Sequence, residues 1–340
     1  MTLKTLLLVP VAAALLAAGC GGASDSPAGS ASAAGSGSSG GAASKSTLSL
    51  VAYSTPQVVY DEITPDFEKT ADGKGVGFKT SYGASGDQSR AVEAGLKADV
   101  VTFSTEPDMT RLVKDGLVDA GWKQQTPHNG LVTTSLVSFV VRKGNPKHIK
   151  TWDDLLRPGI EVVTPNPFTS GAAKWNLLGA YAHGGLPFVQ KLIKDHVKVQ
   201  PKSGREALQT FTGGEGDVLI SYEYEATTAQ KKGQSVDYVT PPDTLKIDID
   251  IAKTKTAPPA ADAFLRYVLG DAAQQRFADW GYRPVNETVL ERNKAKFPAP
   301  KTLKTIDDLG GWAKVNDALF DPTKGSIAKI ESDAGVSTAK

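Results

Sequence analysis

The chain has 340 residues, 40% of them hydrophobic and 22% charged, a composition that suits a soluble globular protein of two moderate domains rather than one compact unit. Lysine and arginine number 38 against 37 aspartates and glutamates, so no overall field exists to attract nucleic acid or an anionic membrane surface, and a charged ligand has to be caught locally. The single cysteine, Cys20, excludes an internal disulfide and a cysteine-based metal cluster.

Residues 1–19 read as a secretory signal. One basic residue, Lys4, precedes an apolar run at 6–18 that is too short to span a bilayer comfortably, and the small residues Ala17, Ala18 and Gly19 lead into Cys20. The stretch 16–20 resembles a bacterial lipobox, with Ala17 where leucine is more usual, so Cys20 is expected to be the lipidated first residue of the mature protein. Residues 20–47, nearly all Gly, Ser and Ala after that cysteine, then form a flexible tether with a reach of about 30 Å. The expected contact with the membrane is through this lipid, on the outer face of the cytoplasmic membrane.

From Leu48 onward short apolar strands alternate with helical stretches, the pattern of an α/β fold built on mostly parallel sheets. Strands are expected at 48–53, 76–82, 99–104, 135–141, 160–164, 197–200 and 217–222, with an eighth at 245–251 returning to the first domain. Helical periodicity appears at 88–96, 172–181, 205–211 and 261–269. The tail from 257 to 330 is expected to be mainly helical, with a turn at 281–284, packed back on the body.

Outside the tether, Ser-Gly occurs at three places, Ser85-Gly86, Ser170-Gly171 and Ser203-Gly204, each following an expected strand and opening an expected helix. Ligands of open α/β sheets bind at the carboxyl ends of strands, where loops enter helix N-termini. Those termini carry unpartnered N–H groups and about half a unit of positive charge, so they suit an anion. Glycine lets the backbone come close, and serine adds a hydroxyl donor. Helix capping explains any one corner equally well, because Ser85 with Gln88 and Ser203 with Glu206 both fit a capping box. Three corners at matching places in the topology favour one shared anion cleft.

The chain is not expected to be an enzyme. His128, His148, His183 and His196 are dispersed without metal-ligand spacing, and neither a nucleophile elbow nor a phosphate-binding loop is present. Glu223 and Glu225, alternating with Tyr222 and Tyr224, read as a solvated rim after a strand. The tyrosines are two apart and would share a face of that strand. They leave a ferric-iron carrier as one alternative, and a lipid-anchored hydrolase of oxyanion esters is the other. No cofactor or metal is called for.

Several runs carry a family resemblance: VRKGNPK at 141–147, WDDL at 152–155, VTPNP at 163–167 followed by TSG at 169–171, then Trp175-Asn176, GDVLISYE at 216–223, YRP at 282–284 and GGWAK at 310–314. Together they resemble bacterial sulfate-binding proteins over about 48–330. The resemblance implies a two-lobed periplasmic-binding-protein fold of type II, with 48–130 as the first part of lobe 1, 131–245 as lobe 2, and 246–340 as the second part of lobe 1 with the C-terminal helices. It implies a monomeric solute-binding subunit of an ABC importer that holds dehydrated sulfate by neutral donors and passes it to permease subunits. The family's donors fall on Ser85, on Ser170 with Gly171 and Ala172, on Gly204 and on Tyr222. Ser54 stands where the family has aspartate, Ala172 where it has a second glycine, and Tyr222 where it has a ligand-contacting tryptophan. The last exchange keeps thiosulfate, molybdate and phosphate open as alternative ligands.

Overall fold

The computed structural model describes residues 46–338. The signal sequence, Cys20 and almost all of the tether lie outside the described residues. No described helix is long and apolar enough to cross a membrane.

In chain order the first elements are β1 (Ser46–Tyr53), α1 (Gln57–Glu68), β2 (Val76–Gly83), α2 (Ser85–Glu93), β3 (Val100–Phe103), α3 (Glu106–Lys114) and β4 (Leu131–Arg142). There follow β5 (Val162–Val163), α4 (Gly171–Lys191), β6 (Val197–Val199), α5 (Gly204–Thr212), β7 (Val218–Tyr222), α6 (Glu223–Lys231), β8 (Val236–Val239) and β9 (Asp243–Lys253). The chain ends with α7 (Ala260–Leu269), α8 (Asp271–Asp279), β10 (Arg283–Pro284), α9 (Glu287–Arg292), β11 (Thr302–Lys304), α10 (Gly311–Phe320) and α11 (Ser326–Asp333).

The strand order is β2-β1-β3-β9-β4-β7-β5-β6. β1 is parallel to both β2 and β3, and β5 is parallel to both β6 and β7. These are the βαβ units the alternating pattern calls for, and their strands are buried on both faces: β3 reads VVTF with every residue inside. The two parallel halves are joined by β4 and β9, which run antiparallel with Ser135 opposite Ile247. β4 changes partners along its length, pairing with β9 as far as Leu136 and with β7 from Val137 onward.

Each half has its own core. Val51, Val101, Phe103, Met109 and Leu112 pack together under α3, while Val140, Val163, Ala207, Phe211 and Leu219 pack under α5. A larger cluster spans both, including Leu50, Phe67, Trp152, Trp175, Ile249 and Phe264. In the C-terminal third, α7 lies on β1 and β9 and α8 on α1, whereas α10 meets α3 and α11 lies against α4. Trp312 of α10 meets Trp175 of α4 edge to face at 4.7 Å.

The eight expected strands are present, with 135–141 lengthened to twelve residues and 160–164 shortened to Val162–Val163. One reading is corrected: Glu223 and Glu225 are not a solvated rim but are buried, 3% and 2% exposed. β7 ends at Tyr222 and the chain turns at once into α6, so both acids fall in the first helical turn, where the dipole favours them. Arg283 donates to both oxygens of Glu223 at 2.7 and 3.0 Å. Tyr222 and Tyr224 therefore do not share a strand face: the first ends β7 and the second sits in α6, their rings edge to face at 5.2 Å.

Candidate anion-binding site

Four helices, α2, α4, α5 and α6, begin at the carboxyl ends of strands or of the loops after them, and the first N–H groups of each lack intrahelical acceptors. Ser54, Ser85, Ser170, Gly171, Ala172, Gly204 and Tyr222 are all buried. Their mutual closeness shows in what a β-carbon would touch. One built on Gly171 would stand 2.2 Å from Ser104 Oγ and 2.8 Å from Thr105 Cγ2, and one on Gly204 would stand 3.3 Å from Thr55 Cγ2 and 3.6 Å from Ala172 Cβ. The β1 and β3 corners of the first half thus face the α4 and α5 corners of the second.

Further bonds cross the same line. Gly86 N donates to Thr169 O at 3.1 Å, Trp175 Nε1 to Ser104 O, and Lys202 pairs with Asp87 at 3.0 Å. The Arg205 guanidinium reaches Gln57 Oε1 at 2.6 Å and also the carbonyl of Ser54. The Thr55 and Tyr224 hydroxyls bond at 2.8 Å. The two halves are closed on one another. Gly86, Ser170 and Gly171 border a surface hollow of about 520 Å³, and Thr55, Arg205 and Glu225 border another of about 400 Å³.

The serines differ in how their hydroxyls are used. Ser203 caps α5 by accepting from Glu206 N at 3.2 Å, as its spacing predicts. Ser85 does not cap α2: it is the first helical residue, with Ala84 at the cap, and Gln88 instead accepts from Ser81 Oγ at 3.0 Å. The Ser85 hydroxyl donates to buried Asp108 at 2.7 Å and accepts from Ser104 N at 3.1 Å, so its hydrogen is committed and only its main-chain N–H is left for a ligand. Ser170 precedes α4 in extended conformation and makes no capping bond. The buried hydroxyls of Ser104 and Tyr222 lie within hydrogen-bonding reach of each other, a contact that lowers the Tyr222 phenol slightly, but neither makes a well-aligned hydrogen bond. Buried hydroxyls without a well-aligned partner occur at several other places too, such as Thr133 and Ser135, so it is the nearness of these two to the helix starts that offers an anion further donors.

Burial pushes the Tyr222 phenol well above its ordinary value, with Tyr53 adding to the rise, so Tyr222 is a neutral donor. Tyr224, stacked on Tyr282 at 3.6 Å, is pushed up for the same reason, which makes the tyrosinates of a ferric site costly. Among the described residues no group of three His, Cys, Asp or Glu is placed to hold a metal. Sequence reasoning missed Ser104, Thr55, Asp108 and Arg205. Ser104 ends an expected strand, so the strand-end rule could have found it; Asp108 shows only once α2 and α3 pack together, and Thr55 and Arg205 only once the halves face each other.

A family model for bacterial extracellular solute-binding proteins matches residues 48–283. The sulfate-binding protein of Synechococcus elongatus is 41% identical over 292 residues, covering 80% of this chain and 83% of its own. The thiosulfate-binding protein of Escherichia coli is 33% identical, covering 79% and 86%. Among solved structures, the sulfate-binding protein SubI from Mycobacterium tuberculosis superposes with a TM-score of 0.79 at 48% identity, covering 81% of this chain and all of that one.

Proposed function

The chain belongs to the bacterial extracellular solute-binding protein family, and we propose that the solute it captures is sulfate. Its relatives are solute-binding proteins, not enzymes, and the family is extracytoplasmic. The reading adds that the ion sits between the halves, held by main-chain N–H groups at Ser54, Ser85, Gly171, Ala172 and Gly204 and by the Ser170 and Tyr222 hydroxyls. Lobe 1 would comprise 48–130 and 246–340, lobe 2 residues 131–245. Lipid on Cys20 and the tether would keep this monomeric carrier near ABC permease subunits, to which the closed form delivers its ion.

The observation that carries the reading is the meeting of the Ser54, Ser85, Gly171 and Gly204 corners beside the buried hydroxyls of Ser104 and Tyr222. Neutral donors alone favour a fully ionised anion. Phosphate near neutral pH keeps a proton that needs an acceptor, and leaving it unpaired costs about 1–3 kcal/mol. Asp108 Oδ2 takes hydrogens from Ser85 Oγ at 2.7 Å and from Thr105 Oγ1 at 2.9 Å, and its Oδ1 faces Arg111 Nη1 at 3.4 Å. Thiosulfate is the nearest competitor, given the similarity to a thiosulfate-binding protein. Titration calorimetry with sulfate, thiosulfate, molybdate and phosphate tests the reading: sulfate should bind at least about tenfold more tightly than phosphate. Equal affinity for the two would sink it.

A further inference from the structure

The two loops that feed the second half's anion corners, 164–170 into α4 and 200–203 into α5, are tied to each other. Asn166 N donates to Pro201 O at 2.8 Å, and Thr169 Oγ1 donates to Lys202 O at 2.6 Å. Both loops are also tied to the C-terminal segment. Gln200 Nε2 donates to Glu331 Oε1 at 2.8 Å, and Asn166 Nδ2 donates to Ser337 O at 3.0 Å. Glu331 is fully buried on α11, and α11 is seated against α4, the helix whose N-terminus opens at Gly171. A fully buried acid on a terminal helix, far in sequence from either corner, needs a reason.

We infer that α11 and the residues just after it are a brace for the oxyanion site, with Glu331, Gln200 and Asn166 as positioning residues that fix the α4 and α5 corners relative to each other. The inference rests on the anion-binding reading given above. A ligand held by N–H groups from two separate corners needs both within a few tenths of an ångström of their places, and neither loop has enough regular structure of its own to hold it there. The brace reaches both at once. Burial raises the Glu331 carboxyl to about 7, partly offset by the bond from Gln200, so near neutrality much of it carries a proton and the cost of burying a bare carboxylate is reduced.

Three variants of the full chain test this. Glu331→Ala removes the acceptor for Gln200, and Glu331→Gln keeps a carbonyl oxygen there. Asn166→Asp keeps the acceptor that Asn166 offers to Phe168 N at 2.7 Å but loses the N–H given to Ser337. Sulfate affinity is read by calorimetry, and loop order by amide hydrogen exchange over 166–173 and 200–206. Glu331→Ala and Asn166→Asp should weaken sulfate about tenfold, the effect of one hydrogen bond, and speed exchange in both loops, while Glu331→Gln stays within about twofold of wild type. Exchange at Val59 and Tyr60 in α1, whose N–H groups donate to Pro56 O within the first half, should not change. The inference is overturned if Glu331→Ala leaves affinity and loop exchange as they were, or if exchange rises evenly over the whole molecule. A wild-type protein that fails to bind sulfate would sink the functional reading, and the exchange comparison would still decide the brace.

Discussion

Adding one methyl group to Gly171 separates closure from folding. The residue is not in the left-handed region, so alanine is compatible with its backbone at the first position of α4. Its N–H is kept. The new carbon would stand 2.2 Å from Ser104 Oγ and 2.8 Å from Thr105 Cγ2, both on the opposite half, so closure has to stop about 1 Å short. Overpacking of this kind costs about 1–3 kcal/mol, which is about a five- to 150-fold loss of sulfate affinity. In the open form the clash is relieved, and Tm without sulfate should be unchanged or slightly higher. Gly204→Ala is the internal control: its nearest contact is 3.3 Å, so the loss should stay under about tenfold. Calorimetry and thermal denaturation on both variants read the two effects. Affinity within twofold of wild type for Gly171→Ala, or a Tm that falls with the affinity, would refute the argument that this contact belongs to closure.

Tyr222→Phe removes a buried hydroxyl that makes no well-aligned hydrogen bond, so stability without ligand should fall little, while sulfate affinity drops about ten- to a hundredfold; chemical denaturation and calorimetry give the two numbers. Arg283→Ala strands the buried Glu223 carboxylate and should cost about 3–5 kcal/mol of stability at neutral pH, measured by denaturant unfolding. Glu225 is raised to about 8 by burial, against the lowering pull of Arg205 and Lys232. The folded protein therefore keeps a proton that the unfolded chain releases from about pH 4.5, and wild-type stability should decline between about 4.5 and 8 and level off above. Glu225→Gln should flatten that part of the profile, and parallel slopes for the two proteins in Tm against pH would rule the assignment out.

The strands and the three Ser-Gly corners were legible because buried parallel strands are apolar runs and helix starts carry local signals. What was not legible depends on partners distant in the sequence. The partners of Ser85 lie 19 and 23 residues away, at Ser104 and Asp108, and redirect its hydroxyl away from the capping box that its spacing with Gln88 suggests. Glu223 looks like a surface residue until Arg283, 60 positions on, is brought against it. Short edge strands such as β8 and β11 have no pattern long enough to read. Nor does anything local mark α11 as a neighbour of the site, since Gln200 and Glu331 are 131 residues apart.

The antiparallel pairing of β4 with β9 limits how this molecule can move. Sliding one half along the other would shear the register that sets Ser135 opposite Ile247 and Leu136 opposite Lys246, breaking several ladder bonds together. A bend spread over a few residues of the ribbon breaks none. A swing of the halves, like a door on a strap, is thus the movement this pairing would permit, and it would return the same corners to the same places each time.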